Sequence, residues 1–473
     1  MMSKTILKKL IEIAGEKSVL IKSQDIEAYS HDELAMPKVK VLPDYVVKPQ
    51  NAKQVSHILA LANKEDIAVT ARGGATGLCG GCVPVSGGIV LSLERMNKLL
   101  EIDKENKVAI VEAGITLCDF YKAIEREGLF FPPHPGDESS QIGGIIATNA
   151  GGSRAVKYGV ARNYVRGLEV VLADGRIVQF GGKISKNSSG YSLLNLLIGS
   201  EGTLAVITKA TIALVPLPIK MATLLVPFSN ISAAISAVPK ILQSGIAPMA
   251  VEFMESDMVD YAKDKLGYKF PYKGAAAYLL IIIDAKDEGE ADDICQKLAD
   301  VCLKNNADDV FIADSSAKQK ELLDFRGKFY DVLKPDMIED LDLVVPVSEI
   351  TQLIEYVHQL EKKYNIWLAT YGHAADGNVH VHIMRKPFDP TLACGEYNIP
   401  HAEACGTEQQ VKREIYKKTK ELGGMLSGEH GIGFIKVKEL PEFVGETQIE
   451  LMKKIKKAFD PKGILNPGKM LKY

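Results

Sequence analysis

Arg72-Gly73-Gly74-Ala75-Thr76-Gly77-Leu78-Cys79-Gly80-Gly81 packs five glycines into ten residues, directly after the short run Ala68-Val69-Thr70. Glycine removes the side-chain barrier and permits the dihedrals that aim several backbone N–H groups at one anion. A phosphate or pyrophosphate is one natural ligand, and a plain tight turn is the other reading. The run is neither G-x-x-x-x-G-K-[ST] nor a G-x-G-x-x-G that opens a helix, which disfavours the P-loop and dinucleotide folds.

Two further segments tip the balance towards a ligand. Pro132-Pro133-His134-Pro135-Gly136-Asp137-Glu138-Ser139-Ser140 leads into Ile142-Gly143-Gly144-Ile145-Ile146-Ala147-Thr148-Asn149-Ala150-Gly151-Gly152. Its small residues clear a path along the backbone, and Ser140, Thr148 and Asn149 bring hydrogen-bonding groups to it. Gly199-Ser200-Glu201-Gly202-Thr203-Leu204-Ala205-Val206-Ile207-Thr208 repeats the arrangement before a strand.

Around these loops, β-branched runs alternate with glycine turns: Tyr45-Val46-Val47, Gly88 to Leu93, Lys107 to Val111. An amphipathic helix is expected from Ala52 to Glu65, with Pro49 and Asn51 as start signals. Leu168 to Leu172 and Ile177 to Phe180 flank Ala173-Asp174-Gly175-Arg176, which reads as a two-residue Asp-Gly hairpin. The class is α+β. After Pro216-Leu217-Pro218 the texture shifts to longer helices separated by strands such as Tyr278 to Ile283, so a boundary is expected there. The expected division is 1–217, 218–422 and a C-terminal segment 423–473.

With 473 residues the chain exceeds the usual single core. A net charge of −3 offers no footprint for nucleic acid. Lys453-Lys454-Ile455-Lys456-Lys457 reads as a solvated helix face, because Leu451, Ile455 and Phe459 recur at helical spacing. No uninterrupted apolar stretch suggests a transmembrane segment, and the expected location is cytoplasmic. Seven cysteines fit reduced thiols better than a disulfide framework. Cys79 and Cys82 form a C-x-x-C inside the glycine loop, read as small packed residues. Cys394 and Cys405 flank His401 in a segment read as an excursion, with a small metal site as the other reading.

Three of the nine histidines fall within ten residues of Tyr371-Gly372-His373-Ala374-Ala375-Asp376-Gly377-Asn378-Val379-His380-Val381-His382-Ile383-Met384. Strand alternation puts His380 and His382 on one face, and the Asp376-Gly377-Asn378 turn folds His373 towards them. Ser427-Gly428-Glu429-His430-Gly431-Ile432-Gly433 adds a carboxylate and a fourth imidazole. Such donors suit a divalent ion such as zinc, iron or manganese. A metal-dependent hydrolase, with zinc activating water, is the reading from a different class.

The three glycine segments together resemble those of the FAD-binding domain of the vanillyl-alcohol oxidase family. The branch is that of D-lactate dehydrogenases, glycolate oxidase flavoprotein subunits and D-2-hydroxyglutarate dehydrogenases, and the resemblance covers nearly the whole chain. It implies a two-subdomain FAD-binding domain plus an α+β oxidase-type substrate (cap) domain. It places the pyrophosphate at Arg72, Gly73, Gly74, Thr76, Gly77 and Gly80, and the flavin at Pro135, Gly136, Ser140, Gly143, Gly144, Thr148, Asn149, Gly151 and Gly152. Glu201, Gly202 and Ile207 would lie beside adenine and ribose, and Asn466 and Lys469 would return to the flavin. The histidine some relatives use to attach FAD is missing from the glycine loop, so non-covalent FAD is expected.

The same resemblance implies His373, His380 and Glu429 as metal ligands, His430 as base, and Arg326 as the substrate-carboxylate holder. His382, where relatives often have asparagine, is a ligand, a substrate contact or a second base. Asp340 stands where 2-hydroxyglutarate enzymes place a lysine, which favours a small monocarboxylate, with D-lactate ahead of glycolate. The expected reaction is oxidation of a small D-2-hydroxy acid, with metal-assisted loss of the hydroxyl proton and a hydride passed to FAD. Electrons would go to a partner such as electron-transfer flavoprotein, as in the lactate dehydrogenase subunit of such complexes. The iron–sulfur-linked glycolate oxidase flavoprotein subunit, or a D-2-hydroxyglutarate dehydrogenase, is the alternative.

Overall fold

The computed structural model describes residues 4–34, 41–313, 315–385 and 401–472, with the side chains of 401–405 excepted. Cys394, and the side chains of His401 and Cys405, therefore lie outside the described residues. The chain forms two compact units. The first comprises residues 1–152, 159–217 and 429–473, and the second residues 153–158 and 218–428. Among the described residues no helix is long and apolar enough to cross a membrane.

The first unit carries a four-stranded sheet ordered β1 (Val19–Leu20), β2 (Tyr45–Val47), β4 (Ile89–Ser92), β3 (Val69–Arg72). β2, β4 and β3 run parallel, and the helix Ala52–Lys64 supplies the crossover between β2 and β3 that parallel pairing requires. Asn51 caps that helix by accepting from the Gln54 N–H (3.0 Å). An antiparallel sheet follows, ordered β5 (Leu99–Asp103), β6 (Val108–Glu112), β10 (Val206–Ala213), β8 (Val165–Val171), β9 (Ile177–Gly181). A short ribbon pairs β7 (Leu129–Phe130) with β11 (Val215–Pro216).

Two expectations need correction here. The β8–β9 hairpin has Val171 opposite Ile177, and the Leu172 N–H donates to Arg176 O (2.9 Å). Its loop is thus the three residues Ala173-Asp174-Gly175, not two, with buried Ala173 drawn into the turn and Gly175 at φ +89°. The lysine run lies on the helix Glu446–Phe459, but Lys456 is buried. Its ammonium donates to Thr203 O (2.6 Å), Leu465 O (2.8 Å) and the Asp460 carboxylate. Leu451, expected to face inward, is 54% exposed. The helix is turned so that a lysine joins its inner face, where the free carbonyls of neighbouring loops need a donor.

The second unit is built on one antiparallel sheet of seven strands: β15 (Phe311–Ile312), β12 (Lys220–Phe228), β14 (Ala277–Ala285), β13 (Ala250–Glu255), β17 (Leu368–His373), β18 (Asn378–Met384), β16 (Met337–Val344). The amphipathic helices Ile231–Gln243, Glu288–Lys304 and Ile350–Tyr364 pack against it. Replacing Lys456 by Met should leave Asp460 as an unpaired buried acid, costing roughly 3–5 kcal/mol. Calorimetry should show a lowered first transition, and an unchanged profile would show that the ammonium contributes nothing.

Candidate active site

In the second unit, register decides which side chains meet. Across β17 and β18, His373 pairs with Asn378, Tyr371 with His380 and Ala369 with His382. Across β16 and β18, Asp342 pairs with His380 and Asp340 with His382. Glu252 of β13 pairs with His373. Since alternate residues share a face and paired residues point the same way, Glu252, Tyr371, His373, Asn378, His380, His382, Asp340 and Asp342 all lie on one face of the sheet. Glu252, His380, His382, Asn378 and Asp342 are all buried.

The turn between β17 and β18 is held by its own polar groups. Asp376 accepts from the Asn378 N–H (3.2 Å), and the Asp376 N–H donates to His373 O (3.2 Å). Gly377 adopts φ +87°, and a Cβ there would lie 2.0 Å from Val345 O, so only glycine fits. The result brings a ligand nitrogen of His373 within 4.8 Å of one on His380. Imidazole nitrogens this close together are donors that could hold one divalent ion.

Each imidazole has an acid beside its Nδ1. The His373 Nδ1 lies 2.6 Å from Glu252 Oε1, the His380 Nδ1 3.8 Å from Asp342, and the His382 Nδ1 3.4 Å from Asp340. Asp342 is fixed by Asn378, whose Nδ2 donates to it (2.8 Å), and by the Ser427 hydroxyl (2.9 Å). His382 stacks on Tyr371, with ring centroids 5.0 Å apart. The Arg326 guanidinium covers Tyr371 at 4.5 Å.

Arg326 sits in the last turn of the helix Ser316–Gly327. Its Nη2 is 2.7 Å from Glu252 Oε2, but among the described residues neither Nη2–H nor Nε–H is aimed at an acceptor, and both atoms are buried. Nε and Nη2 are the parallel donors that a carboxylate takes side-on. Glu252 and Asp342 are absent from the motif reading above, and Tyr371, though it opens the quoted stretch, is given no role there. No local pattern marks Glu252, which meets His373 across 121 positions of sequence.

In the first unit the glycine segments converge. Gly73 packs at Gln141 (3.5 Å from a built Cβ), and the Thr76 hydroxyl is 2.9 Å from that of Ser140. The Gly199 and Glu201 amides donate to Ile146 O and Ala147 O. Asn466 Nδ2 donates to Gly81 O (2.9 Å) and Glu201 O (2.6 Å), while Lys469, its ammonium brought down to about 8 by burial, donates to Val83 O (2.6 Å). The Thr148 hydroxyl turns back to Gly144 O, and Asn149 Oδ1 accepts from the Arg162 N–H. Pro135 follows His134, whose neighbour across an isolated bridge is Gly152. The Arg72 side chain ties the loop to an upstream segment: it donates to Ala28 O (2.8 Å), His31 O (2.7 Å) and Cys82 Sγ (3.4 Å).

Chain segments 217–470 and 43–181 match the models for "FAD linked oxidases, C-terminal domain" and "FAD binding domain". The chain belongs to the FAD-linked oxidase family. A D-lactate dehydrogenase of Archaeoglobus fulgidus is 46% identical over 90% of this chain and 91% of its own. A glycolate oxidase subunit GlcD of Bacillus subtilis is 38% identical over 99% of this chain and 97% of its own. The solved 4-ethylphenol oxidase of Gulosibacter chungangensis shares the fold, with TM-score 0.78, 19% identity, and coverage of 98% of this chain and 96% of that one. The chain is thus a flavoenzyme of the vanillyl-alcohol oxidase type, in the branch holding those dehydrogenases and oxidase subunits.

The first unit of this FAD-linked oxidase fits its cofactor. Positions Gly136 and Gly144 border open space, and the buried Gln141 Oε1 and Asp32 Oδ2 have no hydrogen-bond partner among the described residues. A donor-bearing ligand lying there satisfies both conditions. Asp32 is pushed up to about 6 by burial. Cys82, pushed up to about 11 by burial, and Cys79, which donates to Gly431 O, are packed thiols.

Glu201 does more than border the loop. Its carboxylate accepts from the Ile432 N–H and the Gly433 N–H (2.7 Å each) and so fixes the turn that follows His430. Gly433, at φ +54°, lies so close to Cys79 O that a Cβ would sit 1.7 Å away. His430 Nε2 is 3.9 Å from Glu429 Oε1, and Glu429 packs at Gly151. A Glu201→Gln variant keeps one good acceptor for two amides. Hydrogen exchange at Ile432 and Gly433 should accelerate at least about tenfold, the equivalent of about 1.4 kcal/mol. Unchanged protection would remove Glu201 as the clamp.

Proposed function

We propose that this enzyme oxidises a small D-2-hydroxy acid, with D-lactate to pyruvate the leading reaction. The observation that supports it is the buried Arg326 fork, its Nε and Nη2 without acceptors among the described residues, sharing Glu252 with His373 of the His373 and His380 pair. A 2-hydroxy acid presents a carboxylate one bond from a hydroxyl, and this arrangement offers a carboxylate holder beside a metal-capable pair. The named relatives point the same way.

Oxidation of R–CHOH–COO⁻ removes the hydroxyl proton and a C2 hydride. FAD, when bound, supplies the hydride acceptor, and a divalent ion on His373 and His380 supplies Lewis acidity at the hydroxyl oxygen. Arg326 binds and orients the carboxylate. Tyr371, stacked between Arg326 and His382, keeps water from the guanidinium face. The ligand role of Glu429 and the base role of His430 rest on the resemblance alone. Asp340, an acid beside buried His382, would repel a second carboxylate and favours lactate over 2-hydroxyglutarate; glycolate follows as the smaller alternative.

Non-covalent attachment of FAD is part of the same reading, as is transfer of electrons to electron-transfer flavoprotein, which rests on the resemblance. Reoxidation of the reduced enzyme by that protein in a stopped-flow instrument tests the second point.

Anaerobic titration of the FAD-loaded enzyme with D-lactate, L-lactate, glycolate and D-2-hydroxyglutarate is the deciding experiment. D-lactate should bleach the flavin, and chelator should abolish this. Bleaching by none of the four would overturn the substrate class. Arg326→Lys replaces a bidentate fork by a point charge and should raise KM for D-lactate about 10- to 100-fold, the equivalent of about 1.4–2.7 kcal/mol. His430→Asn should keep FAD yet lose flavin reduction, and near-normal reduction would exclude it as base.

A further inference from the structure

The carboxylate of Glu252 reaches in two directions. Oε1 lies 2.6 Å from His373 Nδ1 and Oε2 lies 2.7 Å from Arg326 Nη2, with the residue 2% exposed. A carboxylate beside Nδ1 holds that ring nitrogen, so Nε2, on the far side of the imidazole, is the one placed to ligate. The Arg326 contact is different in kind. Nη2–H is not aimed at Oε2, so the acid balances the guanidinium charge without forming an aligned hydrogen bond to Nη2. Glu252 itself is fixed by its place on β13, between β14 and β17.

We propose that Glu252 is a positioning residue that sets one imidazole and one guanidinium at a fixed separation, so that metal and substrate carboxylate are held by a single shared anchor. This rests on the functional reading of His373 and Arg326 given above. Neither partner can shift without disturbing the other, which makes the spacing between hydroxyl and carboxylate sites a property of one side chain.

The test uses FAD-loaded protein and Zn²⁺ as the probe, titrated against a fluorescent chelator. Glu252→Gln should weaken Zn²⁺ binding 10- to 100-fold, the range typical for carboxylates behind a metal-bound histidine. At saturating Zn²⁺ it should raise KM for D-lactate at least tenfold while kcat changes less than threefold. The E252Q/R326K double variant should be no more than twofold worse than R326K, because Glu252 acts on the substrate through Arg326. Glu252→Asp keeps the charge but is shorter by about 1.5 Å, so it cannot span both partners and at least one of the two readouts should move tenfold. E252Q or E252D with Zn²⁺ affinity and KM both within twofold of wild type overturns the proposal, as does full additivity in the double variant. Failure of the functional reading would show instead in the wild type, as no Zn²⁺ binding or no flavin reduction by any 2-hydroxy acid.

Discussion

Alternation along a β-strand is the constraint on which the chemistry of the second unit depends. Four strands, β13, β17, β18 and β16, must keep their pleats in phase for Glu252, His373, His380 and Asp342 to share a face. A slip of one residue between β17 and β18 would send the histidines of one strand to the opposite side. The turn at Asp376 and Gly377 sets the pairing of that hairpin, and the Asn378 and Ser427 bonds to Asp342 secure the next strand. Each of the three imidazoles has an acid beside its Nδ1, which helps so many titratable side chains to be buried together.

Much of this was legible in the sequence because it is local. The His380 and His382 alternation, the turn that returns His373, the strand at Tyr45 to Val47 and the Asn51 cap all follow from patterns a few residues long. The glycine segments are legible for a related reason, since Gly80, Gly152, Gly199 and Gly202 adopt positive φ and Gly74 and Gly143 leave no room for a Cβ. What was not legible depends on pairing between distant strands. Nothing near Glu252 announces a partner at His373, because the register of β13 against β17 is a tertiary fact. Arg326 could be named by resemblance, whereas the orientation of its fork and the acid beneath it could not.

Local patterns also misled in two places, each for a physical reason. The lysine run at 453–457 has helical spacing, but periodicity marks a charged residue as solvent-facing only when no buried carbonyl lacks a donor. Here Thr203 and Leu465 supply carbonyls that Lys456 satisfies. The Asp174-Gly175 pair does end a hairpin, yet buried Ala173 extends the loop by one residue, so the core rather than the turn sequence fixed its length.

The edge strand β3 has a consequence for how this polypeptide matures. Val69 exchanges backbone hydrogen bonds with Ile464 and Asn466, and the buried Lys456 and Lys469 tie the same C-terminal stretch to carbonyls at Thr203 and Val83. A chain made from its N-terminus reaches Val69 long before these partners exist. Until residues 464–469 have left the ribosome, β3 carries an unsatisfied sheet edge and the glycine loop that follows it lacks its flank. Completion of the first unit therefore waits on residues about 400 positions downstream, and the nascent chain must be kept from pairing that edge with anything else.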